Sequence, residues 1–174
     1  MSSLNDSIIS LSGSGSEVLN PYQILKQIKR KNENRLIIGQ ININSLRNKF
    51  QSLETLIKGN IDILVITESK LDGSFPTQQF AIEGYSLPYR CDRNANGGGV
   101  MIYVREDIPS RELTTLSSAP NMEGIFLEIN LRKAKWLIFG GYNNNKVYIE
   151  KFLGTLGPTF CFLEILVRNL VKSL

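Results

Sequence analysis

Histidine is absent from the whole 174-residue chain, and with it goes every imidazole role, from metal ligand to general base at neutral pH. Cysteine is scarce. Cys91 and Cys161 are the only two, too few for a disulfide framework or a structural zinc site, and as free thiols they suit a reducing compartment. No apolar run is long enough for a bilayer, since the most apolar late stretch, Phe160 to Val167, falls far short of the roughly 20 residues a span needs. Asp6 and many serines precede any long apolar run, so the N-terminus does not read as a secretory signal. Together these absences describe an intracellular protein, nuclear or cytoplasmic and not secreted, with no membrane partner. Charge of one sign is only mildly in excess. The 20 Lys and Arg against 16 Asp and Glu leave +4, a lean toward a polyanionic partner.

Hydrophobic residues make up 42% of the chain, enough for one domain with a tail that buries roughly 70% of its unfolded surface. Residues 1–20 are rich in Ser, Gly and Asn around Ser12-Gly13-Ser14-Gly15-Ser16, a composition that favours disorder. Residues 21–35 set Lys26, Lys29, Arg30, Lys31 and Arg35 around Ile24, Leu25 and Ile28, which predicts a short helix with a basic face. That face reads either as a phosphate-contacting arm or as a solvated linker. The expected organisation is a disordered, basic linker over 1–34, a domain over 35–157, and a divergent tail over 158–174 whose apolar spacing suits a helix.

Within the domain the key stretch is Ile61 to Asp72. An apolar, β-branched run through Ile63, Leu64, Val65 and Ile66 gives way to Thr67, Glu68, Ser69 and Lys70, which predicts a buried strand with a carboxylate at its C-terminal end. Open sheets hold ligands beyond their strands' carboxyl ends, so Glu68 reads as a metal or phosphate site or, equally, as a solvated strand end. Leu36 to Ile43 predicts an earlier strand. Leu46, Phe50, Leu53, Leu56 and Ile57 form one apolar stripe of an intervening helix through Lys58, with Asn44 or Ser45 as its cap. Strand, helix and strand in this order make a right-handed unit with parallel neighbours, so Asn42, Asn44 and Glu68 converge if their faces coincide. Further strands are expected at Phe80–Tyr85, Gly99–Arg105, Leu113–Leu116, Ile125–Leu131 and Trp136–Tyr142, mainly antiparallel, with Glu128 turned outward. Gly97-Gly98-Gly99 precedes a strand instead of a helix, so it reads as a turn or a close backbone approach and not as a phosphate loop.

Three segments carry a family likeness: Gln40-Ile41-Asn42-Ile43-Asn44-Ser45-Leu46-Arg47, then Ile61 through Leu71, then Tyr89-Arg90-Cys91-Asp92-Arg93-Asn94 through Gly97-Gly98-Gly99 to Arg105. Their order and spacing resemble the endonuclease/exonuclease/phosphatase family of deoxyribonuclease-I-like fold, and within it the endonuclease domains of non-LTR retrotransposons. The resemblance runs from about Arg35 to about Gly157. It implies an α/β fold, part of a four-layer α/β sandwich with mixed sheets and helices outside, its second half missing. It also implies Mg²⁺- or Mn²⁺-dependent cleavage of DNA phosphodiesters, with no small-molecule cofactor. Glu68 corresponds to the metal-binding glutamate, and Asn42 to the asparagine beside it that helps hold metal-bound water or phosphate. Asn44 and Tyr142 complete the implied catalytic set, and Arg47, Arg90, Arg93 and Asn94 the implied DNA contacts.

The resemblance also marks departures. The family's Gly-Asp-Phe/Leu-Asn motif and its late Ser-Asp-His are both absent, and no proline follows Tyr142. An inactive chain is therefore expected, binding metal weakly and at most binding nucleic acid, with a phosphatase of the same superfamily as a more distant alternative. The strands from Ile125 to Tyr142 are expected to lack part of their partners, which invites self-association through an uncovered sheet.

Overall fold

The computed structural model describes residues 20–94, 97–114, 123–131, 134–142 and 160–166, with backbone alone for 123, 142 and 160–166. The apolar run becomes β2 (Ile63–Thr67), buried at every position. A strand without a polar face needs cover on both sides, and β2 sits at the interior of a sheet. On one side β1 (Ile38–Asn42) lies parallel to it, joined through α2 (Phe50–Ile57). On the other side β4 (Val100–Val104) pairs antiparallel, with β3 (Tyr89–Cys91) outermost.

The two faces of this sheet have different covers. Leu64, Ile66, Met101 and Tyr103 pack with Leu46 of the connection before α2 and with Leu53 and Ile57 of α2. Ile63, Val65, Val100, Ile102 and Val104 pack with Ile125, Leu127, Ile129 and Ile138 of a second sheet. That sheet runs β5 (Ser110–Glu112), β6 (Glu123–Leu131), β7 (Ala134–Tyr142) and β8 (Phe160–Leu166). Its first three strands are antiparallel, and β8 is parallel to β7. A side chain at Gly140 would meet Val65 Cγ1 at 2.7 Å, so glycine there lets β7 approach β2 closely. The architecture is a mixed α/β fold of two packed sheets with a helix on the outer face of the first.

Several expectations change. The helix begins at Phe50, not at Asn44 or Ser45. Lys49 stands at its N-cap without a side-chain capping bond, its ammonium donating instead to Ile43 O at 2.6 Å, and Asn44 and Ser45 turn through left-handed backbone, φ 46° and 82°, before the helix begins. Phe80–Tyr85 is not a strand: Thr77–Phe80 is a 3₁₀ turn and Tyr85 alone bridges Arg105. Of the strand expected at Leu113–Leu116, Leu113 and Thr114 lie just past β5, which ends at Glu112, and the rest lies outside the described residues. Residues 160–166 form a strand where a helix was expected, because the parallel edge of β7 is open to them. With β8 in place, β6 and β7 each have neighbours on both sides, so the unpaired edge expected at Ile125 to Tyr142 is filled.

One polar assignment changes as well. Glu128 is only 4% exposed. It lies on the face of β6 away from the first sheet, beside the equally buried Phe126 and Phe139, whose rings are 4.5 Å apart. Arg111, its register partner in β5, donates from Nε and Nη2 to the two carboxylate oxygens at 2.9 and 3.2 Å. These bonds, with Lys135 at 3.7 Å, hold the Glu128 carboxyl below its ordinary range. The short basic helix expected over 21–35 is present over 21–31. It forms α1 (Pro21–Lys31), capped by Asn20, whose side chain accepts from Tyr22 N. Leu25 packs against the helix-side core, and Lys29 Nζ reaches Asp62 Oδ1 at 2.8 Å. The expectation for residues 1–19 lies outside the described residues.

Candidate functional site

Parallel register sets Asn42 opposite Thr67, so the C-terminal ends of β1 and β2 share one edge. Beyond it the two chains stay stitched. Ile43 N donates to Thr67 O (3.0 Å), Ser45 N to Glu68 O (2.8 Å) and Leu46 N to Ser69 O (2.9 Å). On the β4 side, Ser69 N donates to Gly99 O (3.2 Å) and Lys70 N to Gly98 O (3.0 Å). This double stitching forces unusual backbone. Among the described residues, the non-glycine positions with positive φ are Asn44, Ser45, Glu68 and Lys70, all at this edge. Each such residue costs on the order of 1–2 kcal/mol, and the surrounding hydrogen bonds hold it there.

The side chains at the edge form two adjacent groups. In one, Asn42 Oδ1 accepts from Asn44 N at 3.2 Å, and Asn44 Oδ1 accepts from Lys70 Nζ at 2.6 Å. In the other, Glu68 Oε2 accepts the Gly98 backbone N–H at 2.9 Å. The Thr67 and Ser69 hydroxyl oxygens are buried at the same place, with no hydrogen-bond partner among the described residues. A side chain at Gly99, φ +85°, would come within 2.4 Å of Ser69 Oγ. The glycine-rich stretch is therefore a close backbone approach that delivers an amide to Glu68.

Coincident strand faces do not bring Asn42 and Glu68 together. Ile38 packs in the inter-sheet cluster whereas Leu64 and Ile66 pack on the helix side, so by alternation Asn42 and the 64–66 row belong to opposite faces. The left-handed turn at Glu68 ends the alternation, and it is this turn that aims the carboxylate toward Gly98.

Among the implied DNA contacts, Arg90 turns inward. Its guanidinium donates to Phe75 O (2.7 Å), Asp72 O (3.3 Å), Thr77 Oγ1 (3.3 Å) and Asp92 Oδ2 (2.6 Å), so it anchors the 72–77 loop and has little left for a phosphate. Arg47 is exposed, with its guanidinium 4.6 Å from the centre of the Phe75 ring. Arg93 and Asn94 are exposed, and Asn94 Oδ1 accepts from Gly97 N at 3.2 Å. Tyr142 ends β7 opposite Glu123, and its side chain lies outside the described residues. Sequence reasoning missed Lys70, the two orphan hydroxyls and the Gly98 amide. A cation two residues past the key carboxylate was the available signal for the first.

The donors here are hard oxygens. One carboxylate with carboxamides nearby fits a divalent cation that keeps most of its water, and two buried hydroxyls lack partners beside it. Among the described residues no group of three or more His, Cys, Asp or Glu is placed to hold a metal. No helix among them is long and apolar enough to cross a membrane.

No protein-family model matches the chain, and no curated protein is similar to it in sequence. Solved structures are similar over part of it. The endonuclease domain of TRAS1, a telomere-specific non-LTR retrotransposon, aligns over 75% of this chain and 58% of its own, at 14% identity and a TM-score of 0.46. A 3′ phosphatase from Neisseria bound to a product DNA hairpin aligns over 60% and 40%, at 23% identity and a TM-score of 0.40. An AP endonuclease from Archaeoglobus fulgidus aligns over 69% and 48%, at 20% identity and a TM-score of 0.40. The chain thus spans between 40% and 58% of the length of these structures.

Proposed function

We propose that this chain is part of a metal-dependent phosphodiesterase domain of the retrotransposon endonuclease kind, which keeps a single-carboxylate cation site and binds nucleic acid without cleaving it. The observation that carries this reading is Glu68, set in left-handed backbone at the shared end of two parallel strands, with its carboxylate fixed by the Gly98 amide. Backbone strain of this kind concentrates at ligand sites. Mg²⁺ bound there would supply positive charge to a phosphate oxygen.

The chain's own residues do the rest of the binding. Glu68 contributes the anion that attracts the cation, and Gly98 limits its rotation. Lys70, held on Asn44, brings an ammonium to the same edge, suited to a phosphate oxygen. Asn42 orients Asn44 through the Asn44 N–H. Proton transfer is what the chain lacks. It has no histidine and neither of the two acid-base motifs that the resemblance implies, and general acid and base steps contribute about 10²- to 10⁴-fold each.

Calorimetric titration with Mn²⁺ and Mg²⁺, beside a plasmid-nicking assay, tests the reading. The expected result is a site weaker than about 10 μM, lost in Glu68→Gln, with no nicking. Nicking that disappears in Glu68→Ala would instead make the chain an active endonuclease, and cation binding unaffected by Glu68→Gln would remove the site.

A further inference from the structure

At the far end of β2 from Glu68, α1 presents a second charged surface. Ile24 and Ile28 are half-buried and Leu25 packs on the helix-side core, so the apolar side of the helix is turned into the protein. Lys29 is engaged with Asp62. Lys26, Arg30, Lys31 and Arg35 remain, all exposed, and among the described residues none of them pairs with a carboxylate. α1 itself carries no acidic residue (PYQILKQIKRK). A shallow groove along it is lined by Asn20, Tyr22, Gln23, Lys26, Gln27 and Arg30, which offers amide hydrogen-bonding groups and an aromatic ring between the cations.

We infer that this face of α1 is a second nucleic-acid contact, separate from the Glu68 edge, which grips the phosphate backbone of duplex DNA. The inference rests on the proposed reading that the partner is nucleic acid. Charge complementarity carries it: four unpaired cations along one helix and the turn after it meet a polymer with a negative charge every 3.4 Å of each strand. Lys26 and Arg30 stand one helical turn apart, about 6 Å along the axis, close to two steps of that strand. An anionic membrane is disfavoured as the partner, because amphipathic helices bind bilayers by burying an apolar face and this one has its apolar face against the domain. The six steps from Asp62 to Glu68 cover roughly 20 Å at strand rise, so the two surfaces contact different parts of a ligand.

The test is the salt dependence of binding of the full chain to a 20-base-pair duplex of arbitrary sequence. Neutralising all four cations (Lys26→Gln, Arg30→Gln, Lys31→Gln and Arg35→Gln) is expected to flatten the slope of log K against log salt by about 3 to 4 and to weaken binding at least tenfold at low salt. Circular dichroism and melting check that the variant is folded. Glu68→Gln is expected to leave that slope unchanged while removing Mn²⁺ binding, so the two readings fail separately. An unchanged slope in the folded quadruple variant, or no duplex binding by the parent chain, overturns the inference. Tighter binding to vesicles of phosphatidylcholine with phosphatidylserine than to the duplex also overturns it, and assigns the face to a membrane surface.

Discussion

The two ends of β2 each carry a carboxylate, and they treat it in opposite ways. At the N-terminal end Asp62, 2% exposed, is held by cations. Lys29 Nζ lies 2.8 Å from Oδ1, Arg105 Nη1 reaches the same oxygen, and Ile37 N donates to Oδ2 at 2.7 Å. Asp62 itself is not in the left-handed region. At the C-terminal end Glu68 is half-buried in left-handed backbone, and its Oε2 accepts from a neutral amide, Gly98 N–H. A buried carboxylate matched by two cations is a structural joint that ties α1 and the end of β4 to the sheet. One set in strained backbone, beside buried hydroxyls with no partner among the described residues, is poised to attract a cation from solution.

Removing charge at each end should separate the two roles, and the largest effect belongs to Asp62. Asp62→Asn leaves Lys29 and Arg105 facing a neutral amide and is expected to cost about 2–3 kcal/mol, at the low end for a broken buried pair because both cations partly reach water. Differential scanning calorimetry should show a melting temperature lower by about 5–10 °C. A loss below 2 °C would mean that the joint is not structural.

Next comes Gly99→Ala, where the new methyl meets Ser69 Oγ at a φ that favours glycine. About 2 kcal/mol is expected from combined strain and clash. Because the clash moves the loop that donates to Glu68, Mn²⁺ binding should be lost along with stability. Asp62→Asn should leave Mn²⁺ binding intact in the folded protein, and equal losses in the two variants would erase the contrast between the ends.

Tyr85 sharpens the picture of the Asp62 end. Its hydroxyl donates to Ile57 O and Ile61 O at 2.9 and 2.5 Å. Burial first, then the nearby Asp62 charge, push its pKa up to about 12 from the ordinary 10. A phenol whose folded pKa is raised contributes stability below the unfolded pKa, and this is lost as pH rises through the folded one. Urea midpoints should therefore fall between pH 10 and 12, and Tyr85→Phe should flatten that fall while costing about 1 kcal/mol at pH 7. The same fall in the Phe variant would place its origin elsewhere.

The smallest stability change is expected at Glu68 itself. Glu68→Gln keeps an oxygen for the Gly98 amide, so the melting temperature should move by no more than about 2 °C, equivalent to roughly 0.5 kcal/mol, while Mn²⁺ binding disappears. A large loss of stability would class Glu68 with Asp62 as a structural group.

The first sheet's interior was legible because its residues have only one way to avoid water. An apolar run on both faces must be an inner strand, and a stripe at helical spacing must lie against it, which gave β1, α2, β2 and β4 in the right order. The three-residue edge strands β3 and β5 were not legible, since so short a segment carries too little alternation to mark a strand. The tail at Phe160–Leu166 has apolar spacing that suits a helix, and it became β8 because β7 offered an open edge from a distant part of the chain.

The candidate site divides the same way. Sequence alone placed Asn42, Asn44 and Glu68 at one sheet edge, through the handedness of the strand-helix-strand unit. Only the tertiary structure decided where the polar groups point: Arg90 inward to the 72–77 loop, Glu128 under Arg111, Asp62 between Lys29 and Arg105, Glu68 to the Gly98 amide. An apolar side chain is placed by its own dislike of water, so its position can be read locally. A polar or charged one is placed by its partner, and here the partners lie between 13 and 43 residues away in sequence, at positions that only the folded chain brings together.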